Sequence, residues 1–263
     1  MLTIKQYVRP QSLSEAYALC QKRSNVILGG MLWLKMQSRT VNTAIDLCDL
    51  KLDEIREEET CWRIGAMVSL RDLETHVGLN AQTQGAMAEA VRHIVGVQFR
   101  NCATVGGSLW GRFGFSDVLT LFEVLDARVT LYGLGTMSIG DLAELKRGTR
   151  DILTEVVIPK KPMKVVYLSQ RNTATDFPVL TCALSCVDGR YTCAVGARPS
   201  RALALSDENH LLDGGITPET AAAFGNWACN RLEFSSNVRA GEEYRRQLCR
   251  VLVRRALLQL KEV

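Results

Sequence analysis

The chain has 263 residues, of which 47% are apolar and 23% charged, the composition of an ordinary globular protein with a substantial core. Its formal net charge of +4 is too small and too dispersed to favour nucleic acid as a partner. No apolar run reaches the roughly 18 residues of a membrane span, and the start MLTIKQYVRPQSL has no apolar signal-peptide core. We therefore expect a cytoplasmic protein without a membrane span.

The first predicted piece, residues 1–56, contains a helix, a strand and a glycine turn. Ser12 begins a helix with the spacing of a capping box. Residues 25–28 read as a short buried strand that Gly29-Gly30 ends, and residues 43–47 predict a second strand.

The second predicted piece, residues 57–160, surrounds another pair of glycines. A strand over residues 62–66 is followed by a helix cap at Ser69. Apolar residues at helical spacing over residues 87–95 precede the pair Gly106-Gly107. A helix over residues 118–125 and a strand over residues 128–132 are predicted to follow.

The third predicted piece, residues 161–263, is a small antiparallel sheet followed by helices. Asp188-Gly189 is a hairpin-turn signal between two extended runs. Thr217 with Pro218 predicts the start of one helix, and residues 242–260 predict another.

One face of this last predicted helix is basic, with Arg246, Arg250, Arg254 and Lys261. Such a face can dock an acidic partner or nucleic acid, but cations near a helix C-terminus are favourable in themselves. We favour a solvated face opposite a core stripe, with Leu248, Val251, Leu252 and Ala256, and docking is the alternative.

The nine cysteines, an odd number without a secretion signal, predict reduced thiols rather than a disulfide framework. Cys182, Cys186 and Cys193 are the only close group, which raises the alternative of an iron–sulfur or zinc site. Cys182 and Cys186 lie on one face of a period-2 pattern, so we favour small core residues.

The two glycine segments are the strongest functional signal. A residue without Cβ lets backbone N–H groups approach a phosphate closely. Neither segment matches the dinucleotide fingerprint G-x-G-x-x-G or the P-loop G-x-x-x-x-G-K-[ST], which disfavours those two folds. Two such segments about seventy-five residues apart instead favour a ligand with two phosphates, such as a dinucleotide.

Several longer stretches occur in the order and spacing of one family: VILGGMLWLKMQSRTVNTAIDL, WRIGAMVSLRDLE, VRHIVGVQFRNCATVGGSLWGRFGFSDVLTLFEVLDARVTL, DILTEVVIP and AGEEYRRQLCRVLVRRAL. The most specific part is QFRNCATVGG, followed nine residues later by Ser116-Asp117. The chain resembles the FAD-binding (medium) subunit of the molybdenum hydroxylases, the family of xanthine dehydrogenase, CO dehydrogenase and nicotinate dehydrogenase. The resemblance covers almost the whole chain.

The resemblance implies an α+β fold. A two-lobed FAD-binding domain of the vanillyl-alcohol-oxidase type would comprise subdomains 1–56 and 57–160. A C-terminal flavoprotein domain with a small antiparallel sheet and helices would comprise residues 161–263.

The resemblance also implies a set of FAD-binding residues. Both glycine segments would wrap the pyrophosphate through their backbones, with the Thr104 hydroxyl as a donor. Asp117 would accept hydrogen bonds from ribityl or ribose hydroxyls, its alternative role being the N-cap of the following helix. Arg171 and Asp176 match a segment near the cofactor only loosely. The full set is Ile27, Leu28, Gly29, Gly30, Met31, Leu32, Trp33, Ala103, Thr104, Gly106, Gly107, Ser108, Ser116, Asp117, Ile152 and Leu153.

The function implied by the resemblance is electron transfer in a heteromeric oxidoreductase. The expected partners are a large molybdenum-cofactor subunit and a small iron–sulfur subunit, with NAD as a candidate acceptor. Because the cofactor performs the chemistry, we predict no catalytic acid, base or nucleophile and no metal site. His76, His93 and His210 are scattered and are expected to be surface or structural residues rather than catalytic ones.

The chain departs from the family at the first glycine segment. Many members have Thr-Asp after the two glycines, where this chain has Met31-Leu32, and Asn where it has Ser108. The lost side-chain hydrogen bonds, at roughly 1 kcal/mol each, would weaken FAD binding about tenfold or more. Two alternatives therefore remain open: a cofactor-free binding or assembly module, and a stand-alone flavin oxidoreductase.

Overall fold

The computed structural model describes all 263 residues, and most of its helices are short, apart from two of 14 and 21 residues near the C-terminus. The strands are β1 (Thr3–Val8), β2 (Val26–Leu28), β3 (Thr40–Asp46), β4 (Ile55–Glu57), β5 (Cys61–Gly65), β6 (Arg128–Leu131), β7 (Gly135–Ser138), β8 (Leu153–Pro159), β9 (Met163–Arg171), β10 (Pro178–Val187), β11 (Arg190–Gly196) and β12 (Leu203–Ser206). The helices are α1 (Leu13–Cys20), α2 (Leu70–Thr75), α3 (Val77–Gln82), α4 (Ala86–Val91), α5 (Val97–Cys102), α6 (Val105–Trp110), α7 (Asp117–Phe122), α8 (Ile139–Glu144), α9 (Pro218–Arg231) and α10 (Glu242–Glu262).

The chain forms two compact units. Unit 1 comprises Met1–Asp72, Val97–Gly111 and Arg128–Pro159, and unit 2 comprises Leu73–Gly96, Arg112–Ala127 and Lys160–Val263. The predicted division at residues 56 and 160 stays a prediction. None of the helices combines the length and the apolar character needed to cross a bilayer.

Unit 1 begins with a three-stranded parallel sheet in the order β1-β3-β2. Ser12 caps α1 as predicted, accepting a hydrogen bond from the N–H of Glu15 at 3.2 Å. The helix packs Ala16 and Cys20 against Ile45 of β3. Strand β2 lies at the sheet edge, paired only with β3, and the chain leaves its carboxyl end through Gly29-Gly30.

Strand β1, which precedes the first predicted helix, is absent from the elements predicted from the sequence. Its six residues are mostly exposed and show no alternation of buried and exposed positions. Periodicity, the main sequence signal for a strand, is therefore absent there, and pairing with β3 forms the strand.

A second sheet of unit 1 has five strands in the order β4-β5-β8-β6-β7, all antiparallel. Strand β8 is central in it and brings the segment that starts at Leu153 between β5 and β6. Just before it, Asp151 is 3% exposed and accepts hydrogen bonds from the N–H groups of Gly133, Leu134 and Ile152 at 2.7–2.9 Å. This carboxylate orders the β6–β7 turn and the entry to β8 together.

Unit 2 is built on a four-stranded antiparallel sheet in the order β12-β11-β10-β9, which confirms the predicted C-terminal sheet. Residues Asp188 and Gly189 have φ of 50° and 76°, the left-handed values that a two-residue hairpin requires. Strand β10 is buried along nearly its whole length, because α7 contacts it as well as α10.

The cysteines of this unit are core residues. Cys182 and Cys193 on the sheet pack with Cys229 of α9 and Cys249 of α10, all four fully buried as free thiols. Cys186, the third member of the predicted close group, is partly buried and packs against the same cluster. The pattern-based interpretation as small apolar residues fits this packing.

The helix ends depart from the sequence expectations in two places. Helix α4 ends at Val91 although the apolar spacing continues, and Val95 takes a left-handed φ of 53° that stops any helix. Asp117 is the first residue of α7 rather than its N-cap, because Ser116 accepts the N–H of Leu119 at 3.1 Å. The predicted alternative role of Asp117 as a cap is wrong.

Helix α10 buries an arginine that the sequence analysis overlooked. The predicted core stripe contained Leu248 and Val251, which are only half-buried, whereas Arg245 is fully buried. Its guanidinium donates to the carbonyls of Val179, Ser235 and Ala240 and to the side chain of Asn237, at 2.6–3.0 Å. This arginine satisfies backbone groups of the loop before α10 and of β10.

On the basic face of α10, Arg254 and Lys261 are exposed. Arg246 pairs with Glu242 at 3.0 Å one turn earlier. These positions fit the solvated face that we favoured.

Replacing Arg245 by Met should destabilise the protein by about 3 kcal/mol or more, because several buried acceptors would lose their donor. Chemical denaturation measures this change. Arg255→Met, an exposed position on the same helix, is the matched control and should change the stability by less than about 0.5 kcal/mol. Equal stability of the two variants would contradict the assigned role of Arg245.

Candidate functional site

The first glycine turn, residues 29–33, leaves the carboxyl end of β2. Neither glycine has a positive φ, whereas Met31 does, at 58°. The N–H of Lys35 donates to the carbonyl of Met31 at 2.9 Å and closes the turn. A Cβ on Gly30 would overlap the carbonyl oxygen of Cys102. Gly30 is therefore required by the close approach of two backbones rather than by its own conformation.

The second glycine segment, residues 103–108, is the start of α6 rather than an open loop. Thr104 is the N-cap, and its hydroxyl oxygen accepts the N–H of Gly107 at 3.1 Å. The N–H groups of Val105 and Gly106 donate to the carbonyls of Val68 and Ala66 at 2.9 and 2.8 Å. A Cβ on Gly106 would come within 2.7 Å of the Ala66 carbonyl oxygen, so this glycine allows α6 to pack on that segment.

This hydrogen bonding corrects the expectation that both glycine segments present bare N–H groups. At the second segment, the N–H groups of Val105, Gly106 and Gly107 already donate to acceptors within the protein. At the first turn, no backbone hydrogen bond is donated by the N–H of Gly30 or Met31. The backbone N–H groups without a backbone acceptor therefore lie at the first turn, and the binding of an anion by either segment stays a prediction.

Unit 1 contains a cavity of about 300 Å³ between these segments and the start of β8. Half of the predicted cofactor-binding residues line it: Ile27, Leu28, Gly29, Thr104, Gly106, Gly107, Ile152 and Leu153. The other half do not: Gly30, Met31, Leu32, Trp33, Ala103, Ser108, Ser116 and Asp117. Among these, Gly30 and Ala103 lie where the two segments touch.

Charged residues on the cavity wall were missing from the sequence prediction. Arg23, Arg39 and Arg150 line it with a single acid, Asp151. Arg150 donates to the carbonyls of Cys20 and Asn25. The Asp151 carboxylate accepts hydrogen bonds from three backbone N–H groups. An acidic residue directly before the mostly apolar run of residues 152–159, close in sequence to Gly133 and Gly135, is the signal that could have identified Asp151.

Asp117 has its own network within unit 2. Its Oδ1 accepts the hydroxyl of Tyr167 at 2.5 Å and pairs with the guanidinium of Arg171. Burial raises the pKa of the Asp117 carboxyl, which the charge of Arg171 opposes, and burial together with Asp117 raises the pKa of Tyr167. Arg171 also donates to the carbonyl of Asp176 at 2.5 Å. The roles of Ser116 and Asp117 toward a cofactor stay predictions.

The histidines are structural or exposed. His76 caps α3, its Nδ1 accepting the N–H of Leu79 at 3.2 Å. His93 lies 3.8 Å from Glu89, and His210 lies 3.2 Å from Asp213 on the surface.

Two family models match the chain. Residues 3–161 match the model described as FAD binding domain in molybdopterin dehydrogenase. Residues 167–260 match the model described as CO dehydrogenase flavoprotein C-terminal domain.

Full-length relatives and solved structures agree with these matches. The nicotine 6-hydroxylase medium subunit of Paenarthrobacter nicotinovorans is 26% identical over 272 residues, covering 96% of this chain and 96% of the relative. A chain of the carbon monoxide dehydrogenase from Hydrogenophaga pseudoflava has a TM-score of 0.84 at 24% identity, covering 96% and 95% of the two chains. A chain of the quinoline 2-oxidoreductase from Pseudomonas putida 86 has a TM-score of 0.84 at 21% identity, covering 98% and 96%. At these identities the structural likeness shows a shared fold.

Replacing Gly30 by Ala should cost about 1–3 kcal/mol of stability, because the new Cβ would force the two backbones apart. Urea denaturation measures the change. Gly214→Ala, where a Cβ meets open space at an ordinary φ, is the control and should be close to neutral. If both variants have the same free energy of unfolding, the two segments can separate freely and the close contact does not constrain the fold.

Proposed function

The chain belongs to the family of FAD-binding domains in molybdopterin dehydrogenases, and from this premise we propose that the cavity of unit 1 holds the pyrophosphate and one nucleoside half of FAD. The chain is an FAD-binding medium subunit of the molybdenum hydroxylase and CO dehydrogenase type, and hence a subunit of an oxidoreductase. The observation that carries the proposal is the cavity itself, because both glycine segments and the Ile152-Leu153 segment line it.

The residues at the carboxyl end of β2 suit a diphosphate. Gly29 lines the cavity and its N–H has no backbone acceptor, so it would donate to a phosphate oxygen there. The N–H groups of Gly30 and Met31 also have no backbone acceptor and follow in the same turn, next to the cavity lining. The Thr104 hydroxyl oxygen already accepts from Gly107, so its proton is available as a further donor. Gly107 is exposed and lines the cavity, so its bare Cα leaves room for the ligand.

The apolar part of the cavity suits a planar ring. Ile27, Ile152 and Leu153 line it, and Ile152 and Leu153 are held in place because Asp151 bonds the backbone at the entry to β8. Bound FAD supplies the exchange of single and paired electrons. The chain itself contributes binding, orientation and exclusion of water, and the site needs no acid or base from it.

Within a complex, we propose that the chain relays electrons from the iron–sulfur clusters of a small partner subunit to an acceptor such as NAD. A large molybdenum-cofactor subunit would provide the substrate site. Relatives named as a medium subunit and as an FAD-subunit support this arrangement. The substrate would then be chosen on the partner, and the chain would be common to different hydroxylation reactions.

The purified protein should contain one FAD per chain, or take up one when FAD is added. Flavin absorbance of the released cofactor against protein concentration measures this ratio. A correctly folded chain that neither retains nor takes up FAD would instead favour the cofactor-free binding module.

Gly107→Val should reduce FAD retention more than tenfold while the fold remains. The new Cβ meets only the Thr104 hydroxyl, at 2.9 Å, so this side chain must shift but no backbone is displaced, and the valine side chain occupies the cavity wall. FAD affinity and melting temperature are measured together, with Gly214→Val as the control outside unit 1. Full flavin content in Gly107→Val would show that this segment is not part of the cofactor site.

A further inference from the structure

The cavity of unit 1 follows β2 from one end to the other. Gly29 lines it at the carboxyl end of the strand, and Arg23 lines it from the turn that precedes the strand. Arg39 also lines it, and directly precedes β3. Because β2 and β3 are parallel, both arginines lie at the amino end of the sheet, opposite to the glycine turn.

The length of the strand separates the two ends of the cavity. At about 3.3 Å per residue, the stretch from Asn25 to Gly29 extends over about 13 Å. An arginine side chain is shorter than this span. A phosphate bound by the glycine turn is therefore out of reach of Arg23 and Arg39, and the arginines face whatever part of the ligand continues along β2.

The two arginines are free to contact a ligand. Both are exposed, and no described hydrogen bond or ion pair occupies either side chain. The third arginine of the cavity differs, since the Arg150 guanidinium is held by the carbonyls of Cys20 and Asn25. Arg23 and Arg39 thus leave planar cationic groups at the far end of a cavity with apolar walls.

The chemistry of that end fits a purine base. Guanidinium groups stack on aromatic rings and on nucleobases, and a Lys ammonium lacks this planar surface. The isoalloxazine ring must face other redox groups to exchange electrons, so the half of FAD enclosed within unit 1 is the adenosine half. The cavity of about 300 Å³ is at the lower limit of small-molecule pockets, which suits one half of the cofactor.

We propose that Arg23 and Arg39 hold the adenine ring of FAD by stacking, and so select a dinucleotide over a flavin mononucleotide. This inference rests on the proposed FAD site. In this proposal, two exposed side chains at the amino end of the sheet bind the adenine ring. The backbone at the carboxyl end of the sheet binds the phosphates.

The test compares the affinities of the FAD-depleted chain for FAD, ADP and FMN, measured by flavin fluorescence and titration calorimetry. Arg23→Ala/Arg39→Ala should bind FAD and ADP roughly tenfold more weakly and FMN unchanged. Arg23→Lys/Arg39→Lys retains the charge but not the planar group, and should lose most of the same affinity. Arg147→Ala, an exposed arginine of unit 1 that does not line the cavity, should bind all three ligands like the unmodified chain.

Three results would overturn the inference. Unchanged affinity for FAD and ADP in the double alanine variant would make both arginines ordinary surface residues. An equal loss for FMN would show that they act on phosphate charge. Full affinity in the double lysine variant would show that charge alone suffices. If the unmodified chain binds no FAD, the proposed function itself is wrong, and this outcome is distinct from the three results that overturn only the role of the arginines.

Discussion

The close approach of Gly30 to the carbonyl of Cys102 is the constraint on which the site depends. It brings the turn after β2 against the start of α6, so that two segments far apart in the sequence share one cavity wall. Hydrogen bonds from Val105 and Gly106 to the segment around Ala66 and Val68 fix α6 on its other side. The geometry of this cavity wall is thus set by backbone contacts inside the protein, before any ligand binds.

The sequence predicted the architecture well where local signals were strong. The cap at Ser12, the hairpin at Asp188-Gly189 and the helix start at Thr217-Pro218 all combine a special residue with a clear periodic pattern, and all three are present. The capped start of α6 was missed, because a glycine pair reads as a turn, and in the structure tertiary contacts with Ala66 and Val68 hold it in a helix.

The site was predicted less completely than the fold. Glycines identify a place where backbone can approach something closely, but not whether that partner is a ligand or another strand. Gly30 and Gly106 both meet protein backbone, and only the three-dimensional arrangement shows it. Likewise, nothing in the sequence near Arg23 or Arg39 indicates that they line the same cavity as the glycine turn, since their place at the amino end of the sheet depends on the parallel pairing of β2 with β3.

The buried arginines of the protein bind its own backbone, in contrast to Arg23 and Arg39, which we propose to contact the ligand. Arg198 and Arg245 in unit 2 are each surrounded by backbone carbonyls, and burial lowers the pKa of both guanidinium groups. They serve as multidentate donors that organise loops. Arg23 and Arg39, which are exposed in unit 1, have no such acceptors, and this difference separates a structural arginine from one available to a ligand.

Met31 and Leu32 follow the two glycines, where the family resemblance implies Thr-Asp. A left-handed φ at Met31 costs about 1–2 kcal/mol, and such strain persists only where surrounding structure holds it. Here the bond from Lys35 to the Met31 carbonyl and the packing of Gly30 on Cys102 hold it. The backbone N–H groups of Gly30 and Met31 consequently keep their place whichever side chain stands at position 31. The apolar side chains of Met31 and Leu32 offer no hydrogen-bonding group, but the backbone donors remain for the phosphate that we propose at this turn.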